Sequence, residues 1–119
     1  MFDEATLDSI WGKGLVIDNL DPGMYRKDAC GALIMRDKYG MKNPFGWVVD
    51  HVFPVALGGD DRIENMRPLH YQNNISKSDD YPSYTSAVSF NGRTNVALEK
   101  NLTVNAKLRE RLRQYYQGA

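Results

Sequence analysis

The stretch Trp47 to Asp80, WVVDHVFPVALGGDDRIENMRPLHYQNNISKSDD, constrains the fold of this chain more than any other. An apolar run, Trp47-Val48-Val49, delivers Asp50 and His51 side by side, and Pro54 and the Gly58-Gly59 pair then break it. Aromatic and β-branched residues suit a pleated, half-buried strand, whereas Pro and Gly punctuate it. Asn65 begins a second short apolar segment, Met66-Arg67-Pro68-Leu69, and a polar stretch after it carries Asn74 and Lys77. The pattern predicts strand, loop, strand and short helix, with a carboxylate, an imidazole and two carboxamides at the joints.

Those residue types suit metal-assisted phosphodiester hydrolysis. A hard cation such as Mg²⁺ takes one or two oxygen ligands from protein and keeps several waters. Asp50 and the side-chain oxygen of Asn74 are the candidate ligands. His51 points to the opposite strand face from Asp50, because side chains alternate. One residue can therefore hold the metal while its neighbour addresses the attacking water. Histidine is a suitable general base at physiological pH. Asn65 is the candidate orienter of its ring, through its carboxamide or its backbone carbonyl. Each residue taken singly means little, since Asn is most often a turn residue and Lys77 a surface charge. Only the joint spacing carries the chemistry.

That spacing resembles a known motif. Asp50-His51, Asn65 fourteen residues after the histidine, Asn74 nine later and Lys77 three later are similar to the HNH endonuclease motif of the ββα-metal nucleases. GWVVDHVFPVALGGDD resembles its first strand and loop, ENMRPLH its second strand and NNISKSD its helix. The resemblance implies an α+β domain spanning 1–119, with a motif core at 46–80. It implies His51 as general base, Asn65 as the residue orienting it, and Asp50 and Asn74 as ligands of one divalent cation, Mg²⁺ or Mn²⁺. DNA is the implied substrate, with RNA as the alternative, and the implied products carry a 5′-phosphate and a 3′-hydroxyl. Two other readings share the scaffold: a catalytically silent nucleic-acid-binding module, and an exported nuclease toxin held by an immunity protein. A targeting partner would fit the chain's modest charge.

Composition bounds these readings. A length of 119 residues fits one domain, and 42% hydrophobic with 25% charged residues is ordinary for a globular protein. No apolar run reaches the roughly 18 residues of a membrane span, and no signal-peptide pattern opens the chain, so a cytoplasmic location is expected. The single cysteine, Cys30, forms no internal disulfide and leaves no paired-cysteine zinc ribbon, so packing must brace the scaffold. Net charge is zero, but unevenly spread. In residues 50–80, Arg62, Arg67 and Lys77 face six acids. Residues 26–42 and 98–119 each carry a net +3, from five cations against two acids. An acidic centre between basic flanks suits a phosphate-backbone substrate, although solvated faces produce the same pattern.

The rest of the chain supplies supports. Phe2 to Gly12 is predicted as an amphipathic helix capped by Asp3, with Leu7, Ile10 and Trp11 inward. Leu15-Val16-Ile17 is a candidate strand. Ala32–Met35 is expected to pair antiparallel with Trp47–Val49. Arg26 and Lys27 either reach a phosphate or, for Arg26, brace a carboxylate. Arg67 and Lys77 are further candidate contacts to nucleic acid. His70 is assigned a packing or phosphate-contacting role rather than a metal one. Tyr81-Pro82 stops the motif helix. Alternation about Asn91-Gly92 predicts a β-hairpin with Arg93 exposed at its tip, open to substrate. Thr103 to Gln117 reads as a helix with Val104, Leu108, Leu112 and Tyr115 on one face and basic residues on others.

Overall fold

The structure, a computed structural model, describes residues 2–119. Among the described residues its architecture is α+β, with three α-helices and three two-stranded antiparallel sheets. The first helix, α1 (Glu4–Trp11), opens as predicted: the Asp3 carboxylate accepts from the Thr6 amide at 2.8 Å, and Gly12 ends it. Leu7, Ile10 and Trp11 are its buried stripe. They meet Ile34, Trp47 and Met66 in one of two apolar clusters. Trp47 anchors this cluster, fully buried, with its ring centroid 5.3 Å from that of Trp11 and 4.9 Å from that of Tyr39. An aromatic side chain buries about 150–250 Å², so at about 25 cal/mol/Å² Trp47 contributes on the order of 4–6 kcal/mol.

The first hairpin corrects an expectation. Strand β2 (Leu33–Met35) pairs with β1 (Tyr25–Lys27), in the register Tyr25↔Met35 and Lys27↔Leu33, and not with Trp47–Val49. Closing a short loop costs less entropy than reaching across a longer one, and Asp28 stabilises that loop by accepting from the amides of Cys30 and Ala32. The outer edge of β2 is also taken, since the Asn95 carboxamide bonds both the amide and the carbonyl of Leu33 at 2.8 Å. Leu15 to Ile17 forms no strand, only an isolated bridge between Leu15 and Lys27.

Strand β3 (Trp47–His51) pairs antiparallel with β4 (Met66–His70), from Trp47↔His70 to His51↔Met66, and α2 (Tyr71–Lys77) follows directly. The predicted hairpin forms as β5 (Ser83–Phe90) and β6 (Asn95–Thr103), longer than its alternation suggested. Its register shifts between Ser86 and Val88. At that bulge the Asn73 carboxamide oxygen accepts from the amides of Ala87 and Val88 at 2.8 and 2.9 Å. Asn73 also donates to Asp28, whose carboxylate is fully buried and accepts from the His70 amide as well. Asp28 and Asn73 therefore tie the first hairpin, β4, α2 and β5 together through polar groups whose hydrogen bonds offset part of the cost of burying them.

The last helix, α3 (Ala106–Arg113), starts later than predicted, because Thr103 belongs to β6 and Asn105 caps the helix by accepting from the Leu108 amide. Leu112 and Tyr116 enter the second core with Cys30, Val52, Phe53, Leu69, Tyr84 and Val104. Tyr115, placed on the inner face by sequence, is instead 38% exposed under the Arg62 guanidinium. No helix among the described residues is long and apolar enough to cross a membrane.

Candidate functional site

Alternation along β3 sends Asp50 and His51 in different directions, and each meets a different partner. Asp50 is 3% exposed and lies opposite Arg67 in the ladder. Its Oδ2 accepts from Arg67 Nε at 2.9 Å, and its Oδ1 lies 3.4 Å from Lys77 Nζ. Lys77, wholly buried at the end of α2, also donates to the His51 carbonyl at 3.2 Å. Burial lowers the Lys77 pKa, with Asp50 pulling the other way. Burial also opposes the Arg67 charge, yet Asp50 and Tyr84 together hold its pKa above the ordinary value. Arg67 and Lys77 were expected to contact nucleic acid. Lys77 Nζ and Arg67 Nε are instead engaged by the Asp50 carboxylate, which offsets their desolvation, while Arg67 Nη2 has no partner.

His51 faces the loop between the strands. Its Nε2 lies 2.7 Å from Asp61 Oδ1. The loop that delivers Asp61 is pinned at several points. The Asn65 carboxamide is buried, accepts from the Phe53 amide at 2.7 Å and donates to the carbonyls of Phe53 and Asp60. The Asn65 carbonyl accepts from Val52. Gly59 passes so close that a Cβ there would sit 1.9 Å from the Phe53 carbonyl oxygen, and no other residue fits without moving backbone. The Tyr116 hydroxyl donates to Asp60, which lowers the Asp60 pKa, while burial followed by that carboxylate raises the Tyr116 pKa. Asn65 thus bonds the loop and not the His51 ring. Asp61, which the sequence pattern did not single out, bonds the ring.

Asp50, His51 and Asn74 line one cleft of about 250 Å³, joined by Pro54, Ser78 and Asp79. Among the described residues no group of three or more His, Cys, Asp or Glu side chains could hold a metal. The lining side chains that carry oxygen are Asp50, Asn74, Ser78 and Asp79, and both Asp50 oxygens also face Arg67 and Lys77. These are hard donors in small number, which fits a hydrated Mg²⁺ better than Zn²⁺.

The remaining predicted contacts are dispersed. Arg26 donates to the carbonyls of Pro22, Gly12 and Gly14, bracing the turn after α1 and no carboxylate. The Lys27 ammonium lies 5.7 Å from the centroid of the Phe90 ring. Arg93 is exposed in the β5–β6 turn. His70 is buried: Nδ1 accepts from the Gln72 amide, Nε2 lies 2.8 Å from the Pro44 carbonyl, and the ring stacks on Tyr71. Both nitrogens are occupied, so its role is packing and capping α2. Cys30 is buried in the second core, and that burial pushes its thiol pKa up to about 12.

Compared with known proteins, the chain matches no family profile, no curated protein and no solved structure.

Proposed function

We propose that this chain is a metal-dependent endonuclease of the HNH, ββα-metal type that hydrolyses phosphodiester bonds in DNA. The observation that supports the reading is the shared cleft: Asn74 of α2, twenty-three residues after His51, lines one hollow with the adjacent pair Asp50 and His51 of β3. His51 acts as general base. Asp61 holds Nε2, which leaves Nδ1 to take a proton from the attacking water and fixes the ring's direction. Asp50 and Asn74 would hold the cation, and Asp79 lines the same cleft. A bound Mg²⁺ or Mn²⁺ supplies charge stabilisation at the phosphoryl and leaving oxygens. Asn65 acts through the loop, as a positioning residue that places Asp61.

One observation favours a second reading, a nucleic-acid-binding module without catalysis. The oxygens of Asp50 already face two cations, Arg67 and Lys77, which offset the charge a metal would seek. Digestion of supercoiled plasmid by the purified chain separates the two. The nuclease reading predicts nicked or linear DNA with Mg²⁺ or Mn²⁺ and none with chelator. A folded chain that retards DNA in a gel but leaves it intact with either cation supports the module instead.

A further inference from the structure

A second cavity, of about 460 Å³, is lined by Lys13, Glu64, Arg67, Asn105, Lys107 and Arg111. Four cations there face one carboxylate. Two of its lining residues carry buried polar atoms without a hydrogen-bond partner: Arg67 Nη2, a donor, and Glu64 Oε2, an acceptor. Buried polar atoms are paired in the great majority of cases. An unpaired donor and an unpaired acceptor lining one cavity call for a ligand that presents both senses of hydrogen bond.

The other residues narrow the ligand's chemistry. Lys13 is committed to the backbone, its ammonium donating to the carbonyls of Ile63 and Met66, so it shapes the wall. Lys107 and Arg111 are exposed and four residues apart on α3, hence on one helix face. Asn105 caps that helix, whose N-terminal end adds positive potential. Val52, Met66 and Leu108 give the cavity an apolar side. The volume lies within the roughly 300–1,000 Å³ of small-molecule pockets.

We propose that this cavity binds a phosphate monoester of mononucleotide size, its phosphate held by Arg67, Lys107 and Arg111 and a donor group of the ligand meeting Glu64. The site uses residues other than those of the catalytic cleft. Arg67 links the two, because its Nε holds Asp50 while the residue lines the second cavity and its Nη2 has no partner.

Calorimetric titration of the full chain in chelator, which silences metal-dependent cleavage, tests the site independently of the nuclease reading. The probes are deoxyadenosine 5′-monophosphate, inorganic phosphate and deoxyadenosine. Saturable one-to-one binding of the nucleotide is expected, weaker binding of phosphate, and none of the nucleoside. The exposed double variant Lys107→Ala/Arg111→Ala, checked by thermal melting, should lose at least about tenfold in affinity, and Lys42→Ala should lose none. Absence of saturable nucleotide binding overturns the proposal, as does equal weakening by Lys42→Ala or an unaffected double variant. Equal affinity for phosphate and nucleotide overturns the assigned ligand size.

Discussion

Replacing Asp50 by alanine removes the carboxylate that sits between Arg67 Nε at 2.9 Å and Lys77 Nζ at 3.4 Å. Lys77 is wholly buried and Arg67 nearly so, with 12% of its side chain exposed, so the variant leaves two desolvated cations facing each other. Stripping one partner from a buried ion pair costs about 3–5 kcal/mol. Unfolding entropy of about 2.1 cal/mol/K per residue gives about 0.25 kcal/mol/K for 119 residues. The melting temperature of Asp50→Ala should therefore fall by about 12–20 °C. Lys77→Met leaves Asp50 and Arg67 paired one to one, so its loss is set by the charge-assisted hydrogen bond to the His51 carbonyl, about 1.5–3 kcal/mol. The double variant should cost less than the sum of the two, because neighbours that share a partner are not additive. Thermal unfolding followed by circular dichroism reads all three. If Asp50→Ala melts within about 4 °C of the parent, or Lys77→Met is the worse of the pair, the buried trio is refuted. Metal affinity of Asp50→Ala, which should be weaker by calorimetry, must be measured well below that variant's own melting point.

Asp61→Ala should slow DNA nicking only slightly. Asp61 is exposed, and an exposed pair is worth about 0.2–1 kcal/mol, or about 1.4–5-fold in rate; a loss as large as that expected for a missing base would contradict a merely orienting role. Stability should fall on acidification through His70, whose pKa is lowered by burial against the pull of the Pro44 carbonyl and Asp28. From about pH 6.5 downward the unfolded chain takes the proton first, so stability drops until the folded ring titrates too, and above that range the contribution is intact. Urea denaturation between pH 5 and 8, comparing the parent with His70→Gln, checks this: the variant should lose the slope, and identical slopes would contradict it.

Short-range signals in the sequence proved legible. Asp3 capped its helix, Leu7, Ile10 and Trp11 turned inward, and Asn91-Gly92 made the hairpin, because each depends on residues a few positions apart. The strand–loop–strand–helix order of 47–77 followed from hydrophobic runs and their breakers. What failed were the partners. Ala32–Met35 was matched to Trp47–Val49 on apolar character alone, which cannot choose among neighbours, whereas Asp28 and Asn95 decide the pairing. Arg67 and Lys77 read as surface cations because nothing local marks a buried one; the mark is their distance from Asp50, across seventeen and twenty-seven positions. Asp61 could have been found. It follows the two glycines of the loop joining β3 to β4, and such a loop must fold back over the end of β3, where His51 stands.

The proposed catalysis depends on His51 acting on water beside a phosphate. Its most direct test is the initial rate of supercoiled-plasmid nicking in Mg²⁺ for the parent and for His51→Ala, with matched melting curves for both. Loss of the base should slow cleavage by about 10²–10⁴-fold while the fold persists. A well-folded His51→Ala that nicks as fast as the parent would contradict the account.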